Sequence, residues 1–368
     1  MDFLAVLNEI DNFIWGPPLL VLLVGTGILL TIRLHLLQIF KLPKALSLIF
    51  RAQNTGSGDI DSFKALCTAL SATVGTGNIV GVATAIHAGG PGALFWMWMA
   101  AFFGMATKYA EGLLAVKYRE TDEKGEIAGG PMYYIKNGMG EKYKWLGTLF
   151  AFFGVLVAYF GIGTFAQVNS IVDITKMTIG LDPVWTGAIL TIFVAAPIVA
   201  AAAKTKWPAE QGLISMTGTF IDTIIICTLT GLTLVVTGVW CGMENGAALT
   251  NAAFTSAFPV FGGYMLLIGL VLFAFTTILG WNYYGERCMI YLVGTKGVLP
   301  YRLVFILLIA SGAFLKLEAI WILADIVNGL MAIPNLIALL FLSGICVRET
   351  KKYMDHLKTG KPYEEYED

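Results

Sequence analysis

Residues 65–88 form an apolar stretch long enough to cross a bilayer, and its middle reads Ser71-Ala-Thr-Val-Gly-Thr-Gly-Asn-Ile-Val-Gly81. Gly75 and Gly77 sit near the centre, with Thr76 between them and Asn78 after them. Glycine weakens a helix by roughly 1 kcal/mol relative to alanine and lets other groups come close to the backbone. In hydrocarbon an unpaired amide or carbonyl costs several kcal/mol. A helix opened here must be enclosed by protein, and the groups it frees must have something to bind. Taken alone, Gly77 and Gly81 also make the GxxxG pair of a helix contact. The hydroxyl of Thr76 and the amide of Asn78 add the means of a site, and the free N–H groups of a half-helix suit a carboxylate.

The rest of the chain is built for the same solvent. Of 368 residues, 57% are hydrophobic and 13% charged, where soluble domains carry roughly 25% charged residues. Mean hydropathy is +0.74. The expected fold class is an all-α polytopic membrane protein, with one transmembrane domain over 1–347 and a cytoplasmic tail over 348–368. Hydropathy at about 20 residues per span places nine spans near 17–34, 65–88, 93–116, 145–171, 183–203, 213–240, 262–283, 303–315 and 320–347. Residues 1–15, with Asp2, Glu9 and Asp11 among Phe3, Leu4, Leu7, Ile10 and Phe13, read as a short interfacial helix. No basic n-region precedes the apolar residues, so no signal peptide is expected. Arg33 to Lys64, Lys117 to Lys144, Lys204 with Lys206, Arg287 to Arg302, and Arg348 to Lys361 fall on one side of that topology. The other side holds only Lys176 and Lys316, and its 241–260 loop has Glu244 and no basic residue. The positive-inside rule then puts the N-terminus outside and the C-terminus in the cytoplasm of a cell-membrane protein. The five cysteines show no CxxC and the three histidines no cluster, so neither set reads as a metal site.

Polar groups within spans each need a reason. Thr164 and Gln167 lie three apart on one helix face; they serve either interhelical hydrogen bonds or a ligand. Thr276 and Thr277 offer two hard oxygens of the kind Na⁺ needs, or else bond back to the preceding turn. Trp281, Tyr283 and Tyr284 fit an interface belt, and Trp281 alone could wall a pocket. Asp222 has no basic residue near it in sequence and is either a structural or a coupling acid. Lys108 and Glu111 look like a snorkelling pair. No Walker loop, HExxH or Ser/His/Asp arrangement is present, so neither an enzyme nor an ATP-driven pump is expected, and no nucleic-acid partner. In secondary transporters an opened helix binds a substrate and its coupling ion.

At these residues the sequence resembles the alanine or glycine:cation symporter family. The matching stretches are Ala69-Leu-Ser-Ala-Thr-Val-Gly-Thr-Gly-Asn-Ile-Val-Gly-Val, Pro91-Gly-Ala-Leu-Phe-Trp-Met-Trp, Gly129-Gly-Pro-Met-Tyr-Tyr-Ile, Gly218-Thr-Phe-Ile-Asp-Thr and Thr277-Ile-Leu-Gly-Trp-Asn-Tyr-Tyr-Gly-Glu-Arg-Cys. The resemblance implies the inverted-repeat fold of the bacterial leucine transporter and Na⁺-coupled uptake of alanine or glycine, with H⁺ as the alternative coupling ion and no cofactor. It implies that Gly75, Thr76 and Gly77, with Asn78 beside them, take the substrate carboxylate. Gln167 would line the pocket, and Trp281 would limit the side chain that fits. The Na⁺ site would use the carbonyls of Ser71, Val74 and Phe273 and the hydroxyls of Thr276 and Thr277.

The sequence departs from that family in one place. Members have about eleven spans, and this chain has nine. Leu190-Thr-Ile-Phe-Val runs straight into Ala196-Pro-Ile-Val-Ala-Ala-Ala-Ala-Lys-Thr-Lys, where two further spans are expected. Two is an even number, so the downstream orientation is kept. The missing pair would include the second broken helix, which forms the other wall of the pocket. The alternative function is therefore a shortened homologue that inserts but does not transport on its own.

Overall fold

A computed structural model describes residues 3–49, 62–122, 125, 127–195, 207–314 and 318–361. The chain is helical nearly throughout, as bilayer chemistry demands, since a helix satisfies its own backbone. Helices α1 (Phe3–Ile14) and α2 (Pro17–Arg33) are followed by the short α3 (Leu37–Phe40) and α4 (Leu42–Ile49). Then come α5 (Ser62–Thr73), a single 3₁₀ turn (Thr76–Asn78), α6 (Val80–Gly89) and α7 (Gly92–Lys117). A two-stranded antiparallel ribbon, β1 (Glu120–Thr121) with β2 (Ile127–Ala128), leads into α8 (Pro131–Tyr134). Helices α9 (Lys144–Phe160), α10 (Phe165–Ile179) and α11 (Pro183–Ala195) close the first half. The second half holds α12 (Pro208–Thr219), a π-helical stretch (Phe220–Cys227), α13 (Thr228–Thr237), α14 (Gly246–Ala257), α15 (Gly262–Val293), α16 (Val298–Gly312) and α17 (Glu318–Thr359).

Six helical runs among the described residues are long and apolar enough to cross a membrane, and the bent pair Phe63–Thr73 and Thr76–Gly89 makes a seventh. The break expected at Gly75–Asn78 is present, and the two halves meet at 66°. Several elements differ from the sequence reading. The single span expected at 145–171 is two helices, α9 and α10, parted at Gly161–Thr164, and α10 runs on to Ile179. A glycine pair at Gly161 and Gly163 releases the backbone there, and the Thr164 hydroxyl caps it by donating to the Tyr159 carbonyl at 2.5 Å. The 241–260 loop contains α14, which packs on α6, α13 and α15. The helix expected to stop near 347 continues to Thr359, through most of the charged tail. The junction at 196–206, where two spans were expected and absent, lies outside the described residues, as do Lys204, Lys206 and Lys316.

The core is built around α7, α9, α15 and α17. Helix α12 lies along α7, and α9 is clasped between α15 and α17. Small residues set these crossings. An ideal Cβ on Gly112 of α7 would fall 2.3 Å from the Ser215 Oγ of α12, and one on Gly154 of α9 would fall 2.7 Å from the Cys288 Sγ of α15. Helix α5 meets α15 backbone to backbone, where a Cβ on Gly280 would stand 2.7 Å from the Ala72 Cα. Backbone cannot yield as a side chain can. Gly280→Ala is therefore expected to force α5 off α15 and destabilise the protein by about 1–3 kcal/mol. The check is a lowered midpoint of thermal unfolding in detergent; an unchanged midpoint would mean the crossing is looser than it stands.

Charged groups collect at the ends of the helices. Lys117 pairs with Glu349 at 2.9 Å, Arg287 with Asp122 at 3.3 Å and Arg302 with Glu286 at 2.7 Å. Just past α8, Lys136 reaches Glu120 of β1 at 2.9 Å. Burial alone would raise the Glu120 carboxyl, but hydrogen bonds from Lys136 and Asn137 outweigh it and hold that carboxyl below its usual range. Lys108 pairs with Glu111 at 2.8 Å, as their spacing suggested. The pair is more than a snorkel, however. Glu111 also accepts from the Asn335 Nδ2 at 2.6 Å, and the Asn335 Oδ1 accepts from the Tyr134 hydroxyl, so α7, α8 and α17 share one polar network.

Candidate functional site

The last carbonyls of any helix lack an intrahelical donor, and α5 ends inside the bundle. Helix α15 supplies the missing donors. The Trp281 Nε1 donates to the Ala72 carbonyl at 3.0 Å, and the Thr277 Oγ1 donates to the Val74 carbonyl at 3.0 Å. Thr277 and Trp281 are four apart on one helix, so both face α5 at its end. Thr277 is 2% exposed, and its hydroxyl also lies 2.8 Å from the Phe273 carbonyl of its own helix. One hydroxyl proton cannot fully serve two carbonyls. Three oxygens thus converge, the Thr277 hydroxyl and the Val74 and Phe273 carbonyls, an arrangement that a small hard cation could complete from their lone pairs.

Across the break, the freed amides are held by side-chain oxygens. The Gly75 N–H donates to the Asn78 Oδ1 at 2.9 Å, and the Thr76 N–H donates to the Gln167 Oε1 at 3.2 Å. Gln167 comes from the first turn of α10, just past the Gly161–Thr164 parting, and its Nε2 donates to the Ile162 carbonyl at 3.0 Å. Its amide oxygen stands where an acceptor oxygen must stand to satisfy Thr76. Glycine at 75 is a requirement of space. A Cβ there would lie 2.6 Å from the Thr277 Oγ1 and 3.2 Å from the Gln167 Oε1.

Asn78 anchors the break to the second half of the chain. Its Nδ2 donates to the Asp222 Oδ1 at 2.8 Å and to the Asp222 carbonyl at 3.1 Å, and lies 3.3 Å from the Cys227 Sγ. The other Asp222 oxygen accepts from the Thr223 hydroxyl at 3.0 Å. Asp222 sits in the π-helical stretch, where a wide turn leaves its own carbonyl open to Asn78; such turns recur at functional sites. From the other flank, Thr250 of α14 sets its hydroxyl 3.5 Å from the Ile79 carbonyl.

Thus Gly75, Thr76, Asn78, Gln167, Val74, Phe273, Thr277 and Trp281 meet at one place, and Asp222 joins them. Gly77 lies in the same turn but is exposed. Thr276 turns away: its hydroxyl bonds back to the Leu272 and Phe273 carbonyls of its own helix, at 3.1 and 3.0 Å. The Ser71 ligand expected is its carbonyl; its hydroxyl returns to the Thr68 carbonyl at 2.7 Å. The interface-belt reading does not hold for Trp281, whose indole N–H points inward to α5. The Asn78–Asp222 bond and the contribution of α14 were not visible in the sequence. A polar Asx–Thr pair inside an apolar span was the available signal for the first; nothing in the local pattern marked the second.

A bent and opened membrane helix, capped by a distant helix and lined with convergent oxygens and amides, defines a secondary transporter. The chain matches the sodium:alanine symporter family over residues 1–197 and again over 195–367, and it belongs to that family. An uncharacterized transporter of Haemophilus influenzae is 47% identical over 447 aligned residues, covering 97% of this chain and 98% of the relative. The sodium/alanine symporter AgcS of Methanococcus maripaludis is 45% identical, over 96% of this chain and 98% of its own length. The probable sodium/glutamine symporter GlnT of Bacillus subtilis is 30% identical, over 97% and 92%. The first alignment runs 447 positions against a chain of 368, so at least 79 positions of it have no counterpart here.

Proposed function

We propose that this chain is a Na⁺-coupled symporter of alanine or glycine in the cell membrane, with its N-terminus outside and its C-terminus in the cytoplasm. The observation that carries the reading is the bridge from Thr277 of α15 to the Val74 carbonyl at the break in α5. It brings hard oxygens from two helices together at the point where a third group, the opened backbone, can hold an amino acid. The relatives named as sodium/alanine and sodium/glutamine symporters support the same class of cargo. In this reading Na⁺ sits among the Val74 and Phe273 carbonyls and the Thr277 hydroxyl. Thr276 and the Ser71 carbonyl complete the shell once Thr276 rotates off its own helix. The substrate carboxylate takes the amides of Gly75, Thr76 and Gly77, and so displaces the Gln167 and Asn78 oxygens that hold two of them here. Asp222 braces Asn78. No cofactor takes part.

Uptake of radiolabelled alanine into proteoliposomes tests this. The expected result is accumulation that requires an inward Na⁺ gradient. An inert chain under an imposed gradient would sink the reading and favour a shortened homologue that inserts without transporting.

Trp281 closes the pocket over the amino-acid side chain. Trp281→Ala is expected to admit larger residues, measured as competition by leucine against labelled alanine. The same change removes the donor to the Ala72 carbonyl, so Trp281→Phe is the control that loses the bond but keeps the ring. Unaltered selectivity in the alanine variant, with uptake intact, would rule out the size-limiting role.

A further inference from the structure

On the side that the proposed orientation puts outside, the break between α5 and α6 is bordered by an apolar layer. Ile79, just past the break, packs with Ile174 of α10 and with Leu266 and Leu270 of α15, and Phe254 of α14 leans on them. Each of those three helices carries one further position a turn beyond the layer. Thr178 follows Ile174 by four, Asn251 precedes Phe254 by three, and Gly263 precedes Leu266 by three, so each lies on the face that makes the layer. On α10 that face begins with Gln167 and continues through Ile171 and Ile174 to Thr178. Gln167 holds the Thr76 amide, so Thr178 stands about three turns outward of the candidate site along one helix face.

Two side chains at this level lack partners. The Asn251 Oδ1 and the Thr178 Oγ1 are both buried, and neither has a hydrogen-bond partner. Threonines in spans commonly bond back to the preceding turn, and Thr175, in the same turn as Thr178, does so to the Ile171 carbonyl at 2.5 Å. Thr178 does not. Its oxygen and that of Asn251 border one space instead. An ideal Cβ on Gly263 would stand 3.3 Å from the Asn251 Oδ1 and 3.9 Å from the Thr178 Oγ1. Glycine is the residue that puts no side chain there. Buried polar atoms without partners are rare in folded proteins, because their lost hydration goes uncompensated. Two of them, from two helices, around a space that a third helix keeps clear, mark a place for a ligand.

The oxygens also set the class of that ligand. An amide oxygen only accepts hydrogen bonds, and a threonine hydroxyl accepts while turning its proton away. Thr178 lies in the last turn of α10, which ends at Ile179, and the carbonyls of a last turn carry the negative end of the helix dipole. Neutral oxygens at that end suit a small cation.

We propose that Thr178, Asn251 and the space over Gly263 form a cation subsite between α10, α14 and α15. Its occupant is a small monovalent cationic head, Na⁺ or the α-ammonium of an amino acid, held above the apolar layer before it reaches the opened helix. The choice of those two cations rests on the proposed symport; the two oxygens and the space between them do not. The subsite shares no residue with the ion ligands assigned above, so the chain offers a cation one place on either side of the layer.

The test follows the midpoint of thermal unfolding of the purified full chain in detergent, titrated with sodium chloride, methylammonium chloride or choline chloride at constant ionic strength. Methylammonium carries the ammonium head without a carboxylate, and choline, too bulky for the space, reports the general effect of salt. Thr277→Ala is the background, so that the central ion site is weakened in every chain compared. Sodium or methylammonium should raise the midpoint beyond choline, since a ligand that binds only the folded state stabilises it. A response to sodium assigns the ion, and a response to methylammonium assigns the head of the amino acid. Thr178→Val keeps the shape and loses the oxygen, and Gly263→Val fills the space; each should raise the apparent dissociation constant by about tenfold or more. Asn251→Asp should tighten binding. Thr233→Ala, whose hydroxyl bonds back to the Leu229 carbonyl on α13 at 2.8 Å, should leave it unchanged. No response beyond choline overturns the proposal, because the oxygens would then hold water only. A response that survives both Thr178→Val and Gly263→Val overturns it too, as does weaker binding in Asn251→Asp. Unfolding is read without transport, so a chain that binds the cation here and takes up no alanine counts against the proposed function and not against the subsite.

Discussion

Thr277→Ala is expected to weaken Na⁺ binding roughly ten- to hundred-fold while the protein still folds. Thr277 is 2% exposed, and its hydroxyl reaches the carbonyls of two helices, at 3.0 and 2.8 Å. A hydrogen-bonding group in contact with a charge contributes about 1.5–3 kcal/mol, and about 1.4 kcal/mol is a factor of ten in affinity. The measurement is a Na⁺ titration of alanine uptake, or of thermal stabilisation by Na⁺ in detergent. Thr277→Ser keeps the oxygen and should stay within a few-fold of the unaltered chain. Thr276→Ala should weaken Na⁺ binding less, because its hydroxyl is satisfied on its own helix and reaches the site only by rotating. Equal affinity in Thr277→Ala and the unaltered chain would place the ion elsewhere.

Asn78→Ala should have the largest effect on stability. Its side chain accepts from the Gly75 amide at 2.9 Å and donates to the Asp222 carboxylate at 2.8 Å. Removing it leaves a buried donor and a carboxylate oxygen unpaired together, at about 1–3 kcal/mol for each group. The midpoint of thermal unfolding should fall by about 5–10 °C, and uptake should be lost with it. Asp222→Asn separates bracing from coupling. An amide at 222 can still accept from Asn78, so this variant should unfold within about 2 °C of the unaltered chain and retain uptake, reduced several-fold. Full stability with loss of Na⁺ dependence would instead make Asp222 a coupling residue.

Much of this was legible in the chain itself. Gly75-Thr-Gly-Asn78 announced the break, because two glycines with a hydroxyl between them and an amide after them put close backbone and hydrogen-bonding groups together inside an apolar span. The alternation of basic loops gives an expected order of spans, and Thr276 and Thr277 read together as a pair of hard oxygens. The division of labour between them was not legible. Thr277 and Trp281 share a face by their spacing of four, yet which threonine faces α5 depends on the rotation of α15, set by Gly280 against Ala72. The Asn78–Asp222 bond joins residues 144 positions apart, and local pattern carries no information at that range. The link from Glu111 to Asn335 failed for the same reason, at 224 positions. Helix α14 is not legible because its sequence, Gly-Ala-Ala-Leu-Thr-Asn-Ala-Ala-Phe-Thr-Ser-Ala, is too polar to read as a span.

Helix α17 has 42 residues, so it is roughly 63 Å long, about twice the hydrocarbon thickness. Its far end carries Arg348, Lys351, Lys352 and Lys358, and that end must stand in water like a mast above a deck. His356 near the top stacks on Trp207, ring centre to ring centre at 4.3 Å. Trp207 directly precedes α12 and follows the junction at which the relatives carry their extra chain. The start of α12 is therefore moored to the polar end of α17.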